Sequence, residues 1–149
     1  MSRVNLGKVA PKLYEAVAAL DGQAREFAKS AGLAEGFAHL LRLRASQINQ
    51  CAYCVRLHSR DALASGETAD RLGVLTAWRE TGYFTDKERA SLALCEAITN
   101  ISVAQVPDSV YAEAAAVLST EEIAAVEWVT VIINTWNRVA ISSRYPVHP

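Results

Sequence analysis

Apolar residues recur at intervals of three and four along nearly the whole chain, and the alternation that marks a strand is scarce. Alanine, the best helix former, is abundant. "PKLYEAVAAL" opens with Pro11, acceptable in a first helical turn, and spaces Leu13, Val17 and Leu20 on one stripe. Asp21-Gly22 is expected to interrupt or end that helix, with a short "QAREFAKSAG" segment stopping at Gly32. Leu33, Phe37, Leu40, Leu41, Arg44, Ala45 and Ile48 then share one helical face. Asn49 and Gln50 break the pattern, so a new helix is expected from Cys51 to about Ser65, with Gly66 as a C-terminal cap. "ETADRLGVLTAWRE" predicts a helix ending near Thr81-Gly82. Thr85 with Glu88, and Ser119 with Glu122, have the capping-box spacing and open two further helices. Between those lies a shorter helix beginning near Pro107. The pattern predicts one all-α domain over residues 1–149, with about seven helices.

Composition adds exclusions. A chain of 149 residues with 51% apolar and 21% charged residues is globular and able to bury a core. A net charge of −1 offers no general attraction for nucleic acid or acidic membranes. No apolar run approaches the roughly 18 residues of a membrane span. The opening "MSRVNLGKVAPKLYEAV" lacks an apolar signal-peptide region. The expected location is therefore a reducing cytoplasm, where structural disulfides are rare and a close cysteine pair points to redox, catalytic or metal chemistry.

Such a pair exists. "QCAYCVRLH", residues 50–58, holds two of the three cysteines and one of the three histidines. On a helix, Cys51 and Cys54 are one turn apart, and His58 is one turn beyond Cys54 on the same face. The helix start favours a thiolate at Cys51, whereas His58 favours one at Cys54. Cysteines at this spacing close a disulfide with little backbone movement. The apparatus suits a two-electron thiol cycle, in which one thiolate attacks a peroxide or disulfide and the other resolves the product. A structural zinc site fits less well. It needs four ligands, and the remaining candidates, His39, Cys95 and His148, are not paired at ligand spacing. The bland reading makes both cysteines small core hydrophobes, but His58 and the helix start argue against it.

"LRLRASQINQCAYCVRLHSRDALASGET" resembles the core motif of alkyl hydroperoxidase D-like proteins, in the carboxymuconolactone decarboxylase superfamily. The similarity continues through "RLGVLTAWRETGYFTDKERASLALCEAITNIS" and "NTWNRVAISSRYP". The resemblance implies an all-α fold that forms a homo-oligomer, a trimer or hexamer, with peroxidase activity at the cysteine pair and no cofactor. It implies that Cys54 forms the sulfenic acid, that Cys51 resolves it into a disulfide, and that His58 activates the pair. It implies a hydroperoxide substrate and a dithiol reductant such as dihydrolipoamide or a thioredoxin-like protein. One position departs from the pattern. The family usually carries a glutamate in a proton relay twelve residues before the first cysteine, and this chain has His39 there. His39 can replace that base, but it reaches inward only if its helix is buried on a second side. The alternatives are a lactone decarboxylase of the same superfamily, which would not need the cysteine pair, and a non-catalytic redox sensor or assembly module.

The remaining positions have structural readings. Glu88 is expected to cap, Glu96 to face solvent, Cys95 to lie in the core, and Tyr53 to pack or line an entrance. Trp78, Trp128 and Trp136 read as packing residues. Asn134 and Asn137, in an otherwise apolar helix, need partners if buried, and a subunit contact is one source. That last helix carries apolar residues on more than one face, which suggests a second buried side.

Overall fold

A computed structural model describes residues 2–149. Among the described residues there are nine α-helices, one 3-10 helix and no strand. The helices are α1 (Leu6–Val9), α2 (Pro11–Ser30), α3 (Glu35–Ile48), α4 (Ala52–Ala64), α5 (Ala69–Val74), α6 (Asp86–Thr99), α7 (Ile101–Ala104), α8 (Asp108–Val117) and α9 (Thr120–Ser142). The 3-10 helix is Leu75–Glu80. Helix α3 is the hub: it packs against α4, α6 and α9, while α2 lies along α9 and α8 along α6. No helix among the described residues is long and apolar enough to cross a membrane.

Both capping boxes form. Thr85 Oγ1 accepts from the Glu88 N–H while Glu88 accepts from the Thr85 N–H, and Ser119 and Glu122 do the same for α9. The helices exceed the expected seven or so because the four-residue α1 and α7 carry too few apolar positions to show a period, and two further expectations fail. Helix α2 runs unbroken through Asp21-Gly22. The Asp21 carboxylate accepts from Arg42 at 2.6 Å and from the Trp136 indole at 2.9 Å, so tertiary anchoring overrides the local turn signal. The expected helix over "ETADRLGVLTAWRE" splits instead into α5 and the 3-10 helix, with a kink at Ala77 (φ −116°, ψ 28°). The bend lets both Leu75 and Trp78 enter the core.

Four helices stop by one device. After α2, α3, α4 and α9 a left-handed residue follows the cap: Gly32, Gln50, Gly66 and Arg144. In each case the next N–H reaches back to the helix, as from Leu33 to Ala28 and from Cys51 to Ser46, the Schellman pattern.

The core takes Phe37, Leu40 and Leu41 from α3, Leu92 and Leu94 from α6, and Val126, Val129 and Ile133 from α9. Helix α9 buries its inner face, and the apolar residues on its other side, Trp128, Val131 and Ile141, stay exposed in the single chain. Trp128 is therefore not a packing residue within this chain; Trp78 is buried, and Trp136 is half-buried against Tyr14.

Candidate active site

The α3–α4 corner builds the site. Ser46, Gln47 and Ile48 form the last turn of α3, Asn49 caps it, and Gln50 takes φ +57°. The Cys51 N–H then donates to the Ser46 carbonyl at 3.0 Å, which fixes Cys51 as the N-cap of α4. Cys54 follows in the first helical turn, where free N–H groups and the helix dipole favour negative charge. Both thiols are free and buried, with their Sγ atoms 2.8 Å apart in hydrogen-bond contact. Closing to a disulfide bond of about 2.05 Å takes a sulfur movement of under about 1 Å.

The pair titrates unequally. The hydrogen bond from Cys54 stabilises a Cys51 thiolate and brings the Cys51 pKa down to about 7, against the opposing effect of burial. Cys54 is pushed upward, because it donates that bond and is itself desolvated. The Asn137 carboxamide favours the thiolate at both sulfurs. Cys51 and Tyr53 line a cleft of about 280 Å³ with Arg144, Tyr145 and Val147; Cys54 is not among its lining residues. Tyr53 packs edge-to-face on Tyr145 at that mouth, with centroids 5.2 Å apart.

His39 and His58 meet. Their Nδ1 atoms are 3.3 Å apart, their rings are stacked at 28°, and both residues are buried. Burial, followed by the Arg42 and His39 charges, lowers His58 to a pKa of about 3. Burial also lowers His39, and Arg42 adds to the shift. At neutral pH both imidazoles are therefore uncharged, so one Nδ1 can donate to the other. Among the described residues, no hydrogen bond joins His58 to either sulfur. His39, the outer member of the pair, lines a second cavity of about 390 Å³ with Arg42, Arg25 and Lys29.

The sequence pattern of the carboxymuconolactone decarboxylase family matches residues 11–97, the span from α2 through most of α6 that contains both cysteines and both buried histidines. The chain belongs to the carboxymuconolactone decarboxylase family. Within that superfamily it is alkyl hydroperoxidase D-like. A crystal structure from Agrobacterium tumefaciens, of a protein of unknown function described as a candidate antioxidant defence protein AhpD, superposes with a TM-score of 0.87. It is 36% identical and covers 99% of this chain and 100% of its own. The uncharacterized protein YdfG of Bacillus subtilis is 31% identical over 140 residues, 94% of this chain and 92% of its own.

In this carboxymuconolactone decarboxylase-family chain the structure brings Cys51 to Cys54 and His39 to His58 as two adjoining pairs. His39 reaches the interior because α3 is enclosed on a second side, where Arg42, Leu43 and Ser46 are also buried. Cys95 is a core residue whose thiol burial raises to about 11. Glu88 caps as expected, and it also pairs with Arg71. Glu96 does not face solvent. It is half-buried and accepts from Trp78, Arg44 and Arg79, which hold its carboxyl below the usual range although burial opposes them. The asparagines find their partners inside the chain. Asn49 Nδ2 donates to Asn134 Oδ1 at 2.9 Å and Asn137 Oδ1 at 2.8 Å, and Asn137 Nδ2 donates to Ser46 Oγ at 3.0 Å. This network clamps α9 to the end of α3, directly under Cys51. Asn137 is thus a site residue that the sequence reading placed elsewhere; its signal was a polar residue amid the apolar positions of α9.

Proposed function

We propose that this protein is a thiol-dependent peroxidase that reduces organic hydroperoxides through the Cys51/Cys54 dithiol. One observation carries the reading: two buried free thiols lie 2.8 Å apart at a helix N-terminus, and one of them lines an open cleft. A thiolate attacks the outer oxygen of ROOH, breaking the O–O bond to give a sulfenic acid and ROH after protonation. The second thiol displaces water from that sulfenic acid to form the disulfide. A dithiol donor such as dihydrolipoamide, or a thioredoxin-like protein, returns both sulfurs to thiols by exchange.

The family pattern puts the sulfenic acid on Cys54, with Cys51 resolving. The short Sγ–Sγ contact lets either sulfur resolve a sulfenic acid on the other, while the lowered Cys51 pKa favours Cys51 as the resting thiolate. A second order, with Cys51 attacking, is favoured by the cleft that Cys51 lines. With His39 in place of the family's glutamate, the neutral His39–His58 pair is assigned as a relay that passes a proton on rather than a base that holds one. The protein acts in a reducing compartment, as a homo-oligomer. The apolar depression formed by Leu20, Phe27 and Trp128 supports assembly, which light scattering tests as a mass above that of the 16.2 kDa chain.

The decisive experiment follows alkyl hydroperoxide consumption with dihydrolipoamide, alongside sulfenic-acid trapping. Wild type turns over and shows a reversible intramolecular disulfide. Cys51→Ser traps a sulfenic acid on Cys54, and Cys54→Ser is unreactive. Trapping on Cys51 in the Cys54→Ser protein reverses the order. Absence of peroxide reaction in the wild type sinks the proposal.

A further inference from the structure

Beside the dithiol, His39 and His58 form a cluster with Asp61 whose ligand atoms all lie within 4.8 Å of one another. We infer that His39, His58 and Asp61 form a binding site for a divalent transition metal of the zinc class, separate from the two thiols. The site goes beyond the peroxidase reading; a bound ion takes both Nδ1 atoms and so excludes the proton transfer assigned to this pair, and its test does not rest on turnover.

The geometry of the two histidines is the first argument. Zinc–imidazole bonds are about 2.05 Å long, and two such bonds whose Nδ1 atoms are 3.3 Å apart enclose an angle of about 107°, close to tetrahedral. The two Nδ1 atoms therefore stand at the separation a tetrahedral ion requires. The same 3.3 Å is long for an N–H···N hydrogen bond. Asp61 Oδ2 lies 4.0 Å from His58 Nδ1, and its side chain is 42% exposed, so a small rotation brings the carboxylate into ligand range.

Electrostatics is the second. Two guanidinium groups stand nearby and would repel a cation, but each is paired. Arg42 is held by Asp21 at 2.6 Å, and Arg25 faces Glu35 at 3.5 Å. Asp61 then supplies net negative charge to the cluster. Two histidines and one carboxylate, with a fourth position open, is the ligand set of catalytic rather than structural zinc. His39 lines the 390 Å³ cavity, from which water or a small oxygen ligand can fill that position.

Nothing in this arrangement involves sulfur, which makes the test sharp. Chelator-treated protein is titrated with Co²⁺, and its visible d–d absorption is followed, with Zn²⁺ as competitor. The expected result is saturation at one Co²⁺ per chain with tetrahedral bands, displaced by Zn²⁺ and unchanged in the Cys51→Ser/Cys54→Ser protein. Asp61→Asn and His39→Gln are each expected to weaken binding about tenfold or more. Asp61 is half-exposed, so Asp61→Asn folds and keeps the test decisive even if the buried His39 variant does not. No saturable binding, or a sulfur-to-cobalt charge-transfer band that vanishes in the double cysteine variant, overturns the assignment. Unaltered affinity in Asp61→Asn and a folded His39→Gln overturns it equally.

Discussion

Replacing Asn137 with alanine separates the scaffold of the site from its chemistry. The residue is fully buried; it accepts from Asn49 and donates to Ser46. Neither partner is orphaned by the change. Ser46 Oγ still donates to the Arg42 carbonyl at 2.7 Å, and Asn49 Nδ2 still reaches Asn134 at 2.9 Å. The cost is therefore two hydrogen bonds at about 1 kcal/mol each, plus a small cavity, together about 2–3 kcal/mol. For a chain of this size each kcal/mol lowers Tm by about 2–4 °C, so the expected fall is about 4–12 °C. The thiols respond as well. Asn137 favours the thiolate at both sulfurs, so its loss moves the pH midpoint of alkylation upward. Asn137→Asp, which sets a carboxylate against the pair, moves that midpoint further in the same direction. Differential scanning calorimetry and a pH series of iodoacetamide rates read the two effects. A Tm shift under about 2 °C with an unchanged alkylation profile would refute the reasoning, because the clamp under Cys51 would then carry neither stability nor charge.

Three further outcomes follow from the same structure. Gln50→Gly removes the strain of a non-glycine residue at φ +57° and, net of the extra freedom it gives the unfolded chain, is expected to raise stability by about 0.5–1 kcal/mol, measured by the urea midpoint. His58 is lowered from 6.5 to about 3 in the folded state, so between those values the unfolded chain binds a proton that the folded chain does not. Stability then falls as pH drops from 6.5 towards 3, and His58→Gln flattens that dependence in pH-stepped thermal melts. Glu96→Ala leaves Arg44 and the buried Trp78 indole without their acceptor and is expected to cost about 3 kcal/mol, with Glu96→Gln losing distinctly less in denaturant melts.

Local chemistry made much of this protein legible in its sequence. The capping boxes at Thr85 and Ser119, the glycines at 32 and 66, and the three-and-four spacing of apolar positions act within a few residues of themselves, so the helices they delimit appear where the pattern puts them. The Cys51–Cys54 contact is equally local, being one helical turn. Where a cue needed a distant partner, the reading failed. Asp21 looked like a breaker until Arg42 and Trp136 arrived from 21 and 115 residues away. Glu96 looked solvated until Arg44 came from 52 residues upstream. Gln50 and Arg144 end helices as the glycines do, but their composition does not announce it, since the left-handed turn is imposed by how the next element docks. Periodicity reports one buried face of a helix. The burial of α3 on its second side, which turns His39 onto His58 and sets Asn137 beneath the thiols, depends on which helices lie opposite. Most helix ends and the cysteine pair thus follow from neighbours in the chain. What surrounds the pair follows from packing, because desolvation and hydrogen bonding between residues far apart in the chain exist only once the helices have packed.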